Sequence, residues 1–222
     1  MIISESRQFV FIHNPKCGGT TIRFALLPYD TTDHFFWGFH EIEERVVDKA
    51  HMPMHVFRKL YPDTFRQLDA YFVFMLVRDP YARAVSAFNE SNRELLEAAF
   101  ELQDQDAKRA AYLAAVNEFI AGLQPHNLAG WQFPYRHFVR QRDMAYLGRK
   151  NMTDCIIKLE ALERGSAKLG VFDPALRQIV MNAEQQNQSH ALPAREVLTE
   201  ASVKKINELY ADDFDLFEYD RW

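Results

Sequence analysis

"FVFIHNPKCGGTTIRFALL", residues 9–27, decides the fold. Its first four residues are too few and too continuously apolar for a surface helix, and they suit a strand buried on both faces of a parallel sheet. Asn14 and Pro15 end that strand. From Thr20 onward, Ile22, Phe24, Ala25 and Leu26 supply an apolar helical face, which Pro28 closes. The order is strand, short glycine loop, helix. In that geometry backbone N–H groups and the positive end of a helix face an anion. Gly18 and Gly19 let the main chain approach a ligand closely, Thr20 and Thr21 offer hydroxyls, and Lys16 adds a cation at the mouth. A plain strand–turn–helix with a surface lysine would look the same from this stretch alone.

A nucleoside-triphosphate P-loop places Lys and Ser/Thr after its last glycine, where they meet the terminal phosphates and Mg²⁺. Here Lys16 precedes both glycines, and no later strand ends in an obvious Mg²⁺-holding Asp. The loop therefore points to a phosphate-like group rather than to Mg·ATP.

A second signal of the same kind is "YFVFMLVRDPYARAVSAFNE", residues 71–90. Residues 71–77 predict a central strand, and Arg78 stands at its end, the side of an α/β sheet where ligands bind. Asp79 and Pro80 form a helix start as N-cap and first helical residue. Arg78 and Ser86 can converge on one phosphate, by planar fork and by hydroxyl. Ser86 bonded to its own backbone, and Arg78 paired with an acidic neighbour, are the alternatives. Arg83 is expected to pair with Asp79 four residues earlier.

The remaining chain bounds the answer. With 222 residues, 48% of them hydrophobic, it can form one domain with a core and a helical insertion. A net charge of −5 argues against a polyanion-binding surface, so no nucleic-acid partner is expected, although one basic pocket is compatible with it. No stretch matches a membrane span or a signal peptide, and Cys17 and Cys155 form neither a CxxC pair nor a zinc spacing, which suits a reduced, cytoplasmic protein. Residues 93–123 are expected to be helical, with Leu95, Leu96, Ala99, Phe100, Leu113, Val116, Phe119 and Ile120 at helical spacing. A final helix near 199–211 starts at Thr199 and buries Val203, Ile206, Leu209 and Tyr210.

"HNPKCGGTT" (13–21) and "VRDPYARAVSAF" (77–88) together resemble the two cofactor motifs of sulfotransferases that use 3′-phosphoadenosine-5′-phosphosulfate (PAPS). The resemblance is closer to the carbohydrate branch of heparan sulfate 2-O type, sulfotransferase family 2. "DCIIKLEAL" (154–162), "NQS" (187–189) and "INELYADDFDLFEY" (206–219) agree more loosely. The resemblance implies an α/β fold, a P-loop-like parallel sheet with helices on both faces and a helical insertion, in one domain spanning 1–222. Segment 91–150 would lie near the acceptor mouth.

By matching position, the resemblance assigns Lys16, Gly18, Gly19, Thr20 and Thr21 to the 5′-phosphosulfate, and Arg78 and Ser86 to the 3′-phosphate. Cys17 replaces the family's Thr or Ala and is expected to point away from the ligand. The implied activity is sulfuryl transfer from PAPS to a hydroxyl of a carbohydrate or small glycosylated metabolite. Lys16 would stabilise the departing phosphate, and no metal is expected. A P-loop-like nucleotide kinase and a catalytically inactive nucleotide-binding regulatory protein are the alternatives.

Transfer to a hydroxyl needs a base, and histidine suits neutral pH. In "DKAHMPMHVFRKLYPDTF" (48–65) a helix is expected to start near Pro53, with His51 just before it and His55 inside. His51 falls on the family's catalytic-histidine position and is the candidate base. His51 and His55 are four apart, yet no third metal ligand accompanies them in sequence. His13 is expected to orient the loop, His34 and His40 to belong to an aromatic pocket wall or core-facing loop, and Glu160 to serve the site or to pair with Lys158 or Arg164.

Overall fold

The structure, a computed structural model, describes residues 1–42, 45–93, 104–183 and 192–222. In chain order the elements are β1 (Ile2–Ser4), β2 (Phe9–Ile12), α1 (Gly19–Leu26), β3 (Phe39–Ile42), β4 (Arg45–Asp48), α2 (Met54–Leu60), α3 (Pro62–Gln67), β5 (Phe72–Val77) and α4 (Pro80–Ser91). They continue as α5 (Gln105–Gly122), α6 (Gln141–Ala145), β6 (Tyr146–Leu147), β7 (Lys150–Asn151), β8 (Cys155–Lys158), α7 (Leu162–Gly165), α8 (Ala167–Phe172), α9 (Pro174–Met181), α10 (Ala194–Val197), α11 (Glu200–Leu209) and α12 (Ala211–Leu216). Leu95, Leu96, Ala99, Phe100, "NQS" and His190 lie outside the described residues.

The central sheet has the order β1-β2-β5-β8. β2, β5 and β8 run parallel, with Ile12 beside Met75 and Val77 beside Lys158, so their C-terminal tips form one edge. β1 adds an antiparallel edge strand that the sequence reading did not anticipate.

Alternation sorts the strand side chains to two faces. Phe9, Phe11, Phe74, Leu76, Cys155 and Ile157 pack with Ile22 and Leu26 of α1, Leu169 of α8, and Leu176 and Val180 of α9. Val10, Ile12, Val73, Met75 and Val77 pack on the other side with Val56 and Phe57 of α2 and Met144 of α6. Both faces are therefore covered by helices. Each fully buried aromatic or aliphatic side chain contributes roughly 1.5–3 kcal/mol, which is why uninterrupted apolar runs survive in β2 and β5.

A third core is helical. Tyr81, Val85 and Phe88 of α4 meet Val116 and Ile120 of α5, Ile206 of α11 and Phe214 of α12. Here Val116 and Ile120 bury as their spacing predicts, and Thr199 caps α11 by accepting from Ser202 N–H at 3.3 Å.

One helix face differs from expectation. Phe24 is 48% exposed, while Arg23 is buried. The buried residues of α1 follow the 19, 22, 23, 26 pattern, and Arg23 fits because its guanidinium donates to Met1 O at 2.7 Å and lies over the Trp37 ring. Among the described residues, no helix is long and apolar enough to cross a membrane.

Candidate functional site

The three parallel tips bring His13–Gly18, Arg78–Asp79 and Leu159–Ala161 to one edge of the sheet. The first loop turns through two left-handed residues, Lys16 at φ 63° and Gly18 at φ 73°. Gly18 then serves as N-cap of α1 and brings no side-chain acceptor to its first turn, where Thr20 and Thr21 are half-buried. Gly19 has a further reason to lack a side chain. A Cβ there would come within 2.1 Å of His13 Cδ2, so the glycine makes room for a neighbouring imidazole.

Arg78 crosses to this loop, its Nη1 donating to Lys16 O at 3.4 Å. The two basic strand tips therefore open on the same side of the molecule. Their alignment comes from residues that carried no sequence signal. Gln141 Oε1 accepts from Arg78 N–H at 2.9 Å and from Asn14 Nδ2 at 3.0 Å, while Gln141 Nε2 donates to Arg78 O at 2.8 Å. Asn14 Nδ2 also reaches Leu76 O at 2.9 Å. Cys17 is buried in this network with Sγ 3.2 Å from Gln141 Oε1, and burial pushes its thiol pKa up to about 12. Its side chain is thus turned inward, as expected.

Gln141 is fixed from behind. Asp213 accepts from Gln141 N–H at 3.0 Å and Arg142 N–H at 2.8 Å, and burial raises its carboxyl to about 6, against the pull of Arg83. Arg83 does not pair with Asp79. It turns into the helical core, donating to His137 O at 3.3 Å and Val139 O at 2.7 Å. Asp79 instead caps α4, accepting from Ala82 N–H at 2.8 Å. Glu160 likewise pairs with neither Lys158 nor Arg164 among the described residues. Its carboxylate accepts from Asp79 N–H at 2.8 Å and Tyr219 OH at 2.9 Å, which ties the β5 and β8 tips to the C-terminal segment.

Lys16 Nζ lies 3.2 Å from Glu90 Oε2 near the end of α4. Burial works against the Glu90 carboxylate, but Lys16 and Arg93 outweigh it and hold its pKa below the ordinary value. Ser86 is buried one turn before Glu90, on the side of α4 that meets the loop.

His51 ends a short 3₁₀ turn, Lys49–His51, just before α2. Its Nδ1 lies 2.9 Å from His13 O. A carbonyl only accepts, so Nδ1 carries the proton and Nε2 keeps its lone pair. The His51 ring meets His13 edge-on at 4.4 Å and His137 at 5.5 Å. Burial lowers the pKa of all three imidazoles, His137 to about 2, and so favours their neutral forms. His13 lies parallel to Trp37, while its buried Nδ1 has no partner among the described residues. His55, on α2, faces Trp131, and His40 bonds Tyr61 OH, so neither joins this group.

Sequence reasoning thus named Lys16, Arg78, Ser86 and His51, and gave no role to Gln141, Asp213, Glu90, Asp48 or His137. Glu90 and Asp48 had local signals, the i+4 spacing of Glu90 from Ser86 and the place of Asp48 three residues before His51. The others converge only through the fold.

A family model described as the sulfotransferase family matches residues 1–220. Carbohydrate sulfotransferase 10 of Xenopus laevis is 30% identical over 93 residues, which cover 40% of this chain and 25% of that protein. The matched region thus spans about a quarter of that relative's length. No solved structure matches the chain.

Proposed function

Since this chain belongs to the sulfotransferase family, we propose that it moves a sulfuryl group from PAPS to a hydroxyl of a carbohydrate or small glycosylated metabolite, with no metal required. The observation that carries this reading is the meeting of the two basic loops, Arg78 Nη1 with Lys16 O at 3.4 Å. Such a pair of cradles on one sheet edge suits a nucleotide phosphorylated at both ends. The carbohydrate acceptor is supported by the name of the amphibian relative.

In this reading Lys16 and the first-turn N–H groups of α1 (Gly19, Thr20, Thr21, beyond Gly18) bind the 5′-phosphosulfate. Arg78 and Ser86 hold the 3′-phosphate. His51 Nε2 takes the acceptor's proton as its oxygen bonds to sulfur and the bridging oxygen departs with the 3′,5′-bisphosphate. Lys16 offsets the charge that grows on that phosphate. His13 keeps His51 in the tautomer this requires, and the helix-terminus cradle supplies the rest by positioning. The chain acts as one domain, and segment 91–150 contributes to the acceptor side through His137, whose ring lies against His51.

The test is calorimetry with 3′-phosphoadenosine-5′-phosphate against ATP, followed by transfer from labelled PAPS to a panel of hydroxyl acceptors. Selective binding of the bisphosphate and labelled carbohydrate without added Mg²⁺ are expected. Preference for ATP, or activity that depends on Mg²⁺, overturns the proposal.

A further inference from the structure

Asp48, His51 and His137 place one ligand atom each within 4.8 Å of one another. The sequence suggested a pair of a different kind, His51 with His55, and the fold replaces His55 by two residues from other segments. Asp48 ends β4 and caps the 3₁₀ turn that ends in His51, which puts carboxylate and imidazole on one turn. His137 arrives from the 3₁₀ segment Phe133–Phe138.

Both imidazoles are held by their inner nitrogens. His51 Nδ1 donates to His13 O at 2.9 Å, and His137 Nδ1 lies 3.2 Å from Ser91 Oγ, a hydroxyl that can accept. An oxygen partner on one ring nitrogen, with the other left to coordinate, is the arrangement that orients metal-bound histidine. The protein therefore supplies the ligands together with the groups that aim them.

We propose that Asp48, His51 and His137 bind one divalent ion of the zinc class, and that this ion inhibits transfer by occupying His51 Nε2. The ion site rests on this geometry alone; its inhibitory effect rests on the function proposed above.

Two imidazoles and one carboxylate favour Zn²⁺ or Co²⁺ over Mg²⁺ or Ca²⁺, which take mostly oxygen. Ligands on a tetrahedral zinc stand about 3.3 Å apart, given Zn–N near 2.0–2.1 Å, so the three side chains need only a modest inward adjustment. Asp48 has other partners: Oδ1 accepts from Ala50 N–H at 2.9 Å, and Oδ2 lies 3.6 Å from Arg136 Nε. Four lone-pair sites on a carboxylate allow an ion to be added, with the Arg136 contact loosened. Three protein ligands leave a fourth position open to water.

The experiment titrates the chelator-treated full chain with Zn²⁺ by calorimetry and with Co²⁺ by visible absorption. One ion per chain is expected, with affinity reduced at least tenfold by His137→Gln and by Asp48→Asn and unchanged by His55→Ala. If either variant fails to fold, imidazole NMR of the unaltered chain decides. Co²⁺ should then broaden His51 and His137 first. Binding indifferent to both variants, no binding below ~1 mM (weaker than about −4 kcal/mol), or broadening centred on other histidines overturns the site. In the same preparation Zn²⁺ should abolish transfer from labelled PAPS, and EDTA should restore it. Binding that follows the variants while transfer continues overturns inhibition through His51 and leaves the ion site standing. Absence of any transfer before Zn²⁺ is added counts against the proposed function, and the binding data judge the site independently.

Discussion

Lys16 Nζ and Glu90 Oε2 form an ion pair at 3.2 Å, so the cation of the glycine loop is already neutralised by the helix that follows the second strand tip. An anionic ligand must compete with that carboxylate. With side chains 22% and 37% exposed, the pair is screened, and its loss is worth about 0.5–1 kcal/mol. Glu90→Gln is therefore expected to tighten binding of 3′-phosphoadenosine-5′-phosphate about two- to fivefold, read by calorimetry. Weaker binding would mean that Glu90 positions Lys16 rather than restrains it.

Two substitutions separate binding from chemistry. His51→Ala should lower turnover roughly 10²–10⁴-fold while leaving the donor dissociation constant nearly unchanged. Lys16→Ala should lower turnover and weaken donor binding together. Steady-state kinetics beside calorimetry distinguishes the two, and a His51→Ala enzyme of normal turnover would remove His51 from the role of base.

Gly19→Ala drives a methyl to within 2.1 Å of His13 Cδ2, and His13 carries the carbonyl that fixes His51. Overpacking of this kind costs about 1–3 kcal/mol of stability. A turnover loss in excess of the change in folded fraction should accompany it, because the imidazole is displaced. Urea denaturation and kinetics on the same sample measure both. Retention of full stability and turnover would show that the loop accommodates the methyl elsewhere.

Asp213 gives a pH dependence whose sign is fixed. Its folded pKa, about 6, is above the ordinary 3.8 because burial disfavours the charged form. Stability from this group is thus fully present below about 3.8 and is lost as pH rises through about 6. The shift corresponds to roughly 3 kcal/mol at about 1.36 kcal/mol per unit. Asp213→Asn should flatten the unfolding free energy between pH 4 and 7 relative to the parent, measured by urea titration at each pH. An unchanged slope would exclude Asp213 as its source.

The sheet was legible because its strands are buried on both faces: "FVFI" and "FVFMLV" have no polar alternation to blur them. Arg78 and Lys16 were legible because they sit at strand ends beside helix starts, a local arrangement. Arg83 was misjudged on local spacing. Its i−4 neighbour Asp79 offered a partner, but α4 lies against the helical core, and the guanidinium found two backbone carbonyls there. Phe24 and Arg23 exchanged places for a similar reason, since Met1 O and the Trp37 ring hold the arginine inside. Gln141 and His137 had no periodicity, motif or neighbour to mark them. Their places are set by segments more than fifty residues from the loops they serve.

The Gln141 side chain touches both loops and is anchored at its own backbone, so the loops behave as one body rather than two. A ligand meets walls whose order was established when the chain folded, and little flexibility remains to be lost on binding. Molecules carrying only the 5′ or only the 3′ phosphate should then bind with free energies that nearly sum to that of the intact nucleotide, apart from the entropy of joining them.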